Sequence, residues 1–281
     1  MDDFLQSIQF FYPQILLGIF LGSTLSMLGS FLVIRNLAFF GLTISQMILF
    51  AACISLLSNL PILLISICLS FVLVLPFIFF DDLKKNGTIL TVLFVFFSSL
   101  SQIILVFGGN LKNTLVQAYF GDILTSQVQL NTTILFSLFL ILVLFFCFYY
   151  KFTYISIDPI QSKLSSKFFL FFEISFYALL ISCISISLNL LGSIYSIALL
   201  VVPAFTFLNT ARSLPGLLFA SVLLSIAATL FGFLFSFVGF QNPFHSEEMI
   251  YFPTSSLIIV FLVLMSFSWK SVFFLKKKHW K

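Results

Sequence analysis

Residues 12–35, YPQILLGIFLGSTLSMLGSFLVIR, decide the fold of this chain: they run without a charge from Tyr12 to Ile34 and stop at Arg35. At about 1.5 Å of rise per residue, roughly 20 apolar residues cross the ~30 Å of hydrocarbon in a bilayer. This stretch is long enough to cross. Its small residues Gly18, Gly22, Ser26 and Ser30 recur at every fourth position and so line one helix face. Small side chains let a second helix backbone approach closely, which is how helices associate in lipid without a hydrophobic driving force. That face is expected to pack on protein.

Eight further stretches of the same kind follow, at about Leu37–Leu57, Pro61–Phe80, Thr88–Gly108, Thr132–Tyr150, Phe168–Leu188, Gly192–Leu208, Leu214–Phe240 and Thr254–Phe274. The expected fold is an all-α integral membrane protein of about nine transmembrane helices, with the N-terminus outside and the C-terminus cytoplasmic. Alternate threading gathers Arg35, Lys84, Lys85, Lys151, Lys163, Lys167, Arg212, Lys270, Lys276, Lys277, Lys278 and Lys281 on one face and leaves Lys112 on the other. Lys and Arg in short loops mark the cytoplasmic side, so the basic face is read as cytoplasmic. The chain reads as one transmembrane domain over 1–281, with its longest cytoplasmic loop at 151–167 and outer loops at 110–131 and 241–253.

Composition agrees, with 61% apolar and 8% charged residues among 281, against roughly 25% charged in a soluble domain. The net charge of +4 follows from topology, and no basic run is interleaved with base-stacking aromatics, so no nucleic-acid partner is expected. Phe contributes 42 residues, as lipid-facing positions that accept any bulky apolar group would allow. Cys53, Cys68, Cys147 and Cys183 fall inside apolar stretches without a Cys-x-x-Cys pair, which speaks against a disulfide framework or thiolate metal site. The Met-Asp-Asp start lacks the basic region of a signal peptide. Within the outer segment 110–131, Leu115 to Leu124 is too short to cross and is expected to be interfacial or re-entrant. Gly216, Ala220, Ala228, Gly232 and Ser236 give the eighth stretch a small face of its own.

In the long cytoplasmic loop, Asp158 followed by Pro159 is a strong helix start, an N-cap before a proline at the first helical position. Ile157, Ile160 and Leu164 would share one side of that short helix and would meet either a partner surface or the lipid interface. Glu173 lies about one and a half turns inside the sixth stretch. It is a functional candidate because intramembrane charge is costly, or an interfacial residue near Lys167. Asp122 could line a pore entrance or end a helix. His245, Glu247 and Glu248 offer nitrogen and oxygen ligands for a weak divalent site, or form a solvated docking loop. No Gly-x-x-x-x-Gly-Lys-Ser/Thr loop and no nucleophile–base pairing appears, so neither ATP binding by that route nor catalysis is expected, and no cofactor.

Several stretches resemble one family, the permease subunits of ATP-binding-cassette (ABC) importers for zinc, manganese and iron. GSFLVIRNLAFFG (29–41) is similar to that family's first cytoplasmic turn, and AYFGDIL (118–124) to its Phe-Gly-Ser/Asp-Ile-Leu segment. LLGSIYSIALLVVPAFTFLNTAR (190–212) resembles its Val-Gly, Ala-Leu-Leu, Ile-Pro-Ala-Ala and Ala-Arg pattern, and PTSSLIIVFLV (253–263) its last span. The resemblance implies a multi-pass protein of a bacterial-type cytoplasmic membrane that works as a homodimer. It also implies cytoplasmic ATP-binding subunits carrying ATP and Mg, and an extracytoplasmic solute-binding protein. On that basis Ile157, Asp158, Pro159, Ile160 and Leu164 form the coupling helix that docks on the ATPase.

One departure bears on the substrate. The family opens its second span with Gly-Asp-x-x-Ser-His, whereas the same positions here read Gly41, Leu42, Thr43, Ile44, Ser45 and Gln46. Leu cannot ligate, and Gln offers a neutral carbonyl where His gives an imidazole nitrogen. Ser45, Gln46, Asp122 and Glu173 are the remaining candidates for the translocation route. The competing readings are a permease for a metal chelate or siderophore, an ion-coupled secondary transporter and a non-transporting scaffold.

Overall fold

The computed structural model describes residues 2–58, 61–107, 119, 121–122, 132–165, 168–237, 240–241, 249–250 and 252–279. The helices are α1 (Asp2–Ile34), α2 (Ala38–Leu57), α3 (Ile62–Phe79), α4 (Asp81–Lys85), α5 (Gly87–Phe107) and α6 (Thr132–Ile157). They continue with α7 (Pro159–Ser165), α8 (Phe169–Leu191), α9 (Ser193–Phe207), α10 (Leu214–Ser236) and α11 (Thr254–His279). Eight of them are long and apolar enough to cross a membrane, and α9 is a shorter apolar helix of 15 residues. Among the described residues the only strands form a two-residue antiparallel ladder, Phe240 opposite Ile250 and Gln241 opposite Met249.

The element order follows the sequence expectation, with four differences in element bounds. The segment at Asp81–Lys85, read as loop, is a short helix. The fifth span does not stop at Tyr150 but runs on to Ile157, so much of the expected loop at 151–167 is helical. The eighth ends at Ser236 instead of Phe240, and the last continues past Phe274 to His279. Polar residues at a helix end do not stop a helix once the chain has left hydrocarbon, so hydropathy understates such helices.

Two turns set the packing. The α1 terminus is closed by the Leu37 N–H donating to the Leu32 carbonyl (2.8 Å) and the Asn36 N–H donating to that of Val33 (3.0 Å). Asn36 takes φ 58°, the left-handed conformation that this C-terminal cap requires. Between α8 and α9, Gly192 sits at φ 86° and ψ 167°, open only to glycine. α9 then runs alongside α1 in the same direction: the Tyr195 hydroxyl donates to the Gly18 carbonyl (3.4 Å), and Leu200 packs on Gly29.

The small face of α1 packs on protein as expected. Gly18 faces Thr229 and Phe233 of α10, Gly22 faces Thr229 and Leu199, and the Ser26 and Ser225 hydroxyls lie 3.4 Å apart. The tightest approach lies off that stripe, at Gly29, where a Cβ would fall 1.7 Å from the Leu200 carbonyl oxygen. On α10 the small face expected from the sequence is packed at Ala228, Gly232 and Ser236 but not at Gly216. Gly232 meets Ile258 of α11 and the Ser236 hydroxyl donates to the Phe252 carbonyl (3.2 Å), whereas Gly216 is exposed.

Candidate functional site

The basic end carries the densest chemistry. Asp158 caps α7 as its sequence predicts, its Oδ1 accepting the Gln161 N–H at 3.1 Å. The Ser162 hydroxyl donates to the Pro159 carbonyl (2.9 Å) and is fully buried, so this side of α7 faces the protein. The other side is open: Ile160 is 74% and Leu164 85% exposed, and Ile157, the last residue of α6, is 68% exposed just before them. Three large apolar side chains in one exposed stripe constitute a surface for a partner or for lipid.

Beneath α7 lies an ion pair. Lys84 Nζ of α4 donates to Glu173 Oε1 of α8 at 2.5 Å, with both side chains 5% exposed. Lys84 also lies 5.7 Å from the Tyr177 ring centroid. Glu173 is thus placed at the basic end and matched by Lys84; the neighbour considered from sequence, Lys167, lies outside the described residues. Arg35 stands close by. Its Nε donates to Ser156 Oγ (2.8 Å), and its guanidinium lies 4.6 Å from the Phe176 ring centroid. Burial pushes the Arg35 guanidinium below its ordinary value, while Tyr177 and Glu173 pull it back up.

The mid-span candidates sit on α2. Ser45 is buried and donates to the Leu42 carbonyl (2.7 Å). Gln46 is 3% exposed, and its Oε1 has no hydrogen-bond partner among the described residues. A buried amide oxygen left unmatched costs about 1–3 kcal/mol, so it marks a place where a donor or cation would be accepted. Asp122 is at the opposite end, where its Oδ1 accepts from the backbone N–H of Thr254 (3.2 Å) and from the Thr254 hydroxyl. It caps the start of α11. His245, Glu247, Glu248 and most of segment 110–131 lie outside the described residues. Among the described residues no group of three or more His, Cys, Asp and Glu could hold a metal ion.

The four quoted motif stretches converge in space. Gly29 and Gly41 both close on Leu200, Gly192 abuts the backbone of Tyr119 and Gly121, and Asp122 binds Thr254. Sequence reasoning missed the Lys84 side of the ion pair and the Gly29–Leu200 contact. The scarcity of intramembrane charge was the available signal for the first; the second has none within a single sequence.

These features define a polytopic α-helical membrane protein whose basic end bears an exposed short helix. The chain belongs to the ABC 3 transport family, which its residues 7–268 match. It is accordingly a transport subunit of a bacterial-type inner membrane and not an enzyme, with nucleotide hydrolysis assigned to a separate subunit. This sets aside the ion-coupled secondary transporter. A relative in Cyanophora paradoxa, an uncharacterised membrane protein in the ycf23-apcF intergenic region, is 25% identical over 94% of this chain and 89% of its own length. The fold is similar to PsaBC from Streptococcus pneumoniae in complex with Fab (TM-score 0.76, 21% identity, 95% of each chain covered). It is also similar to a structure described as an inward-facing conformation of a metal-chelate type ABC transporter (TM-score 0.68, 17% identity, 96% and 90% covered).

Proposed function

We propose that this chain is the permease of an ABC importer that carries a divalent metal ion (zinc, manganese or iron) or a chelate of one into the cytoplasm. The observation that supports it most is the capped α7 helix with its stripe of Ile157, Ile160 and Leu164, exposed at the basic end of a chain of this family. A cytoplasmic ATPase carrying ATP and Mg would receive that stripe in an apolar groove. A second copy of the permease would complete the translocation path, and an extracytoplasmic solute-binding protein would deliver cargo to the opposite end. Closure of the ATPases would push on α7 and rock the spans between two packings.

A specific observation favours the chelate over the bare ion. The route positions on α2 are Leu42, Ser45 and the unmatched Gln46 amide, which suit hydrogen bonding to an organic ligand better than coordination of zinc. Uptake of zinc, manganese and iron, free and chelated, in cells with and without the chain tests this reading. Uptake of all of them unchanged by loss of the chain would refute it. Replacing Ile160 or Leu164 with Glu should reduce co-purification of the ATPase by about tenfold, since a buried charge in an apolar groove costs more than 1.4 kcal/mol. Undiminished co-purification would exclude α7 as the docking element.

A further inference from the structure

A cavity of about 470 Å³ separates Pro159 and Lys163 of α7 from Arg35 and Leu37 in the first turn, from Lys85 of α4 and from Phe169 of α8. At these positions α7 is not packed on the helix ends around it. A load on α7 must therefore leave through its root in α6, and that root is stiff. The Asp158 N–H donates to the Tyr154 carbonyl (3.1 Å), and the Asp158 carbonyl accepts the Ser162 N–H (3.1 Å). Asp158 thus belongs to the hydrogen-bond ladders of both helices.

Two residues before Asp158, the hydroxyl of the buried Ser156 is used twice. It donates to the Phe152 carbonyl (2.6 Å) and accepts from Arg35 Nε (2.8 Å). The Arg35 backbone ends α1, its N–H donating to the Phe31 carbonyl (3.1 Å), and leads into the turn closed by the Asn36 and Leu37 N–H groups. The side chain has little slack, since its guanidinium lies over Phe176 and feels the charges of Glu173 and Tyr177. Deeper in the bilayer, α6 meets α1 through ring edges, Phe31 with Phe145 and with Tyr149 at centroid distances of 5.5 and 6.2 Å. Such contacts hold helices together over a range of geometries, whereas a hydrogen bond weakens steeply as its angle opens. The Ser156–Arg35 bond therefore fixes α6 against α1 within a turn of α7. Displacement travels through linked networks of this kind between rigid elements.

We propose that Arg35 is a positioning residue for the transport cycle, passing displacement of α7 to the α1–α2 turn through its bond to Ser156. This rests on the reading that an ATPase docks on α7, and the test separates the two. The full-length chain, purified with its co-expressed ATPase, would be followed by hydrogen–deuterium exchange with and without ATP, Mg and vanadate. No cargo is needed. In the wild type the nucleotide should alter exchange across 159–165. It should also change the rate at the bonded amides of Arg35, Asn36 and Leu37 by about fivefold, the low end of coupled equilibria. Ser156→Ala should keep the ATPase bound and the response at 159–165 while abolishing the response at 35–37. Ser156→Thr, which retains the hydroxyl, should restore it. A merely structural role would shift exchange alike with and without nucleotide. A response of wild-type size at 35–37 in Ser156→Ala would overturn the proposal and leave the docking intact, as would a wild-type response confined to 159–165. No response at 159–165 in the wild-type complex would overturn the docking reading and this proposal with it.

Discussion

α1 and α5 are built from equally apolar stretches, yet 72% of the membrane window of α1 is buried in protein and only 17% of that of α5. α2 sides with α1 at 72%, and α6 with α5 at 17%. Hydropathy therefore selects what enters the bilayer without deciding what faces lipid. What separates the two groups is side-chain size and the contacts it permits. α1 spends Gly18, Gly22, Ser26 and Gly29 on neighbouring helices, whereas Phe136, Phe139 and Phe146 of α6 stand out at 58–66% exposure. Close packing replaces the hydrophobic effect as the force between spans, since lipid tails are as apolar as leucine.

Breaking the buried side of this contrast should have the largest effect. Gly29→Leu would drive a side chain into the Leu200 carbonyl, with backbone as the obstacle, and should cost more than the 1–3 kcal/mol of ordinary overpacking. The expected result is loss of monodisperse protein on size exclusion in detergent. A wild-type elution profile would show that α1 and α9 can separate freely. Next comes the ion pair. Lys84→Met takes from the buried Glu173 its 2.5 Å partner and leaves it only the more distant Arg35, at a cost of up to about 3–5 kcal/mol, while the double replacement Lys84→Met with Glu173→Leu should recover most of the loss. Thermal unfolding followed by detergent-compatible fluorescence would measure both. Failure of the double variant to recover would mean that the pair has a structural duty beyond charge matching.

Smaller effects sharpen the comparison. The Ser66 and Ser185 hydroxyls lie 2.5 Å apart between α3 and α8, and Ser66→Ala should cost only about 0.6 kcal/mol, the average for such bonds in membranes. Smallest of all, Phe139→Leu on the open face of α6 should leave the melting temperature unchanged within error. A large shift there would mean that this face is covered in the native assembly, for instance by a second copy.

The same contrast explains how much was legible beforehand. Span positions could be read because lipid imposes one rule on every crossing segment. The capping of α7 could be read because Asp158 and Pro159 act on the residues next to them. The matching of Lys84 with Glu173 could not, because the two lie 89 positions apart and each alone reads as a charge near the interface. Gly29 was equally silent: it falls outside the four-residue stripe, and only the fold brings Leu200 against it. The burial of Gln46 with its oxygen unmatched likewise depends on the neighbours that α2 acquires in three dimensions.

Leu200 is wedged between Gly29 on one side of the first turn and Gly41 on the other. With a carbonyl against one glycine and a methyl against the next, α9 has no room to slide along α1 or α2. Those three helices must travel as one block. The moving joints of a transport cycle are then confined to the perimeter around them, and a residue's sensitivity to substitution should follow its distance from that block more closely than its depth in the bilayer.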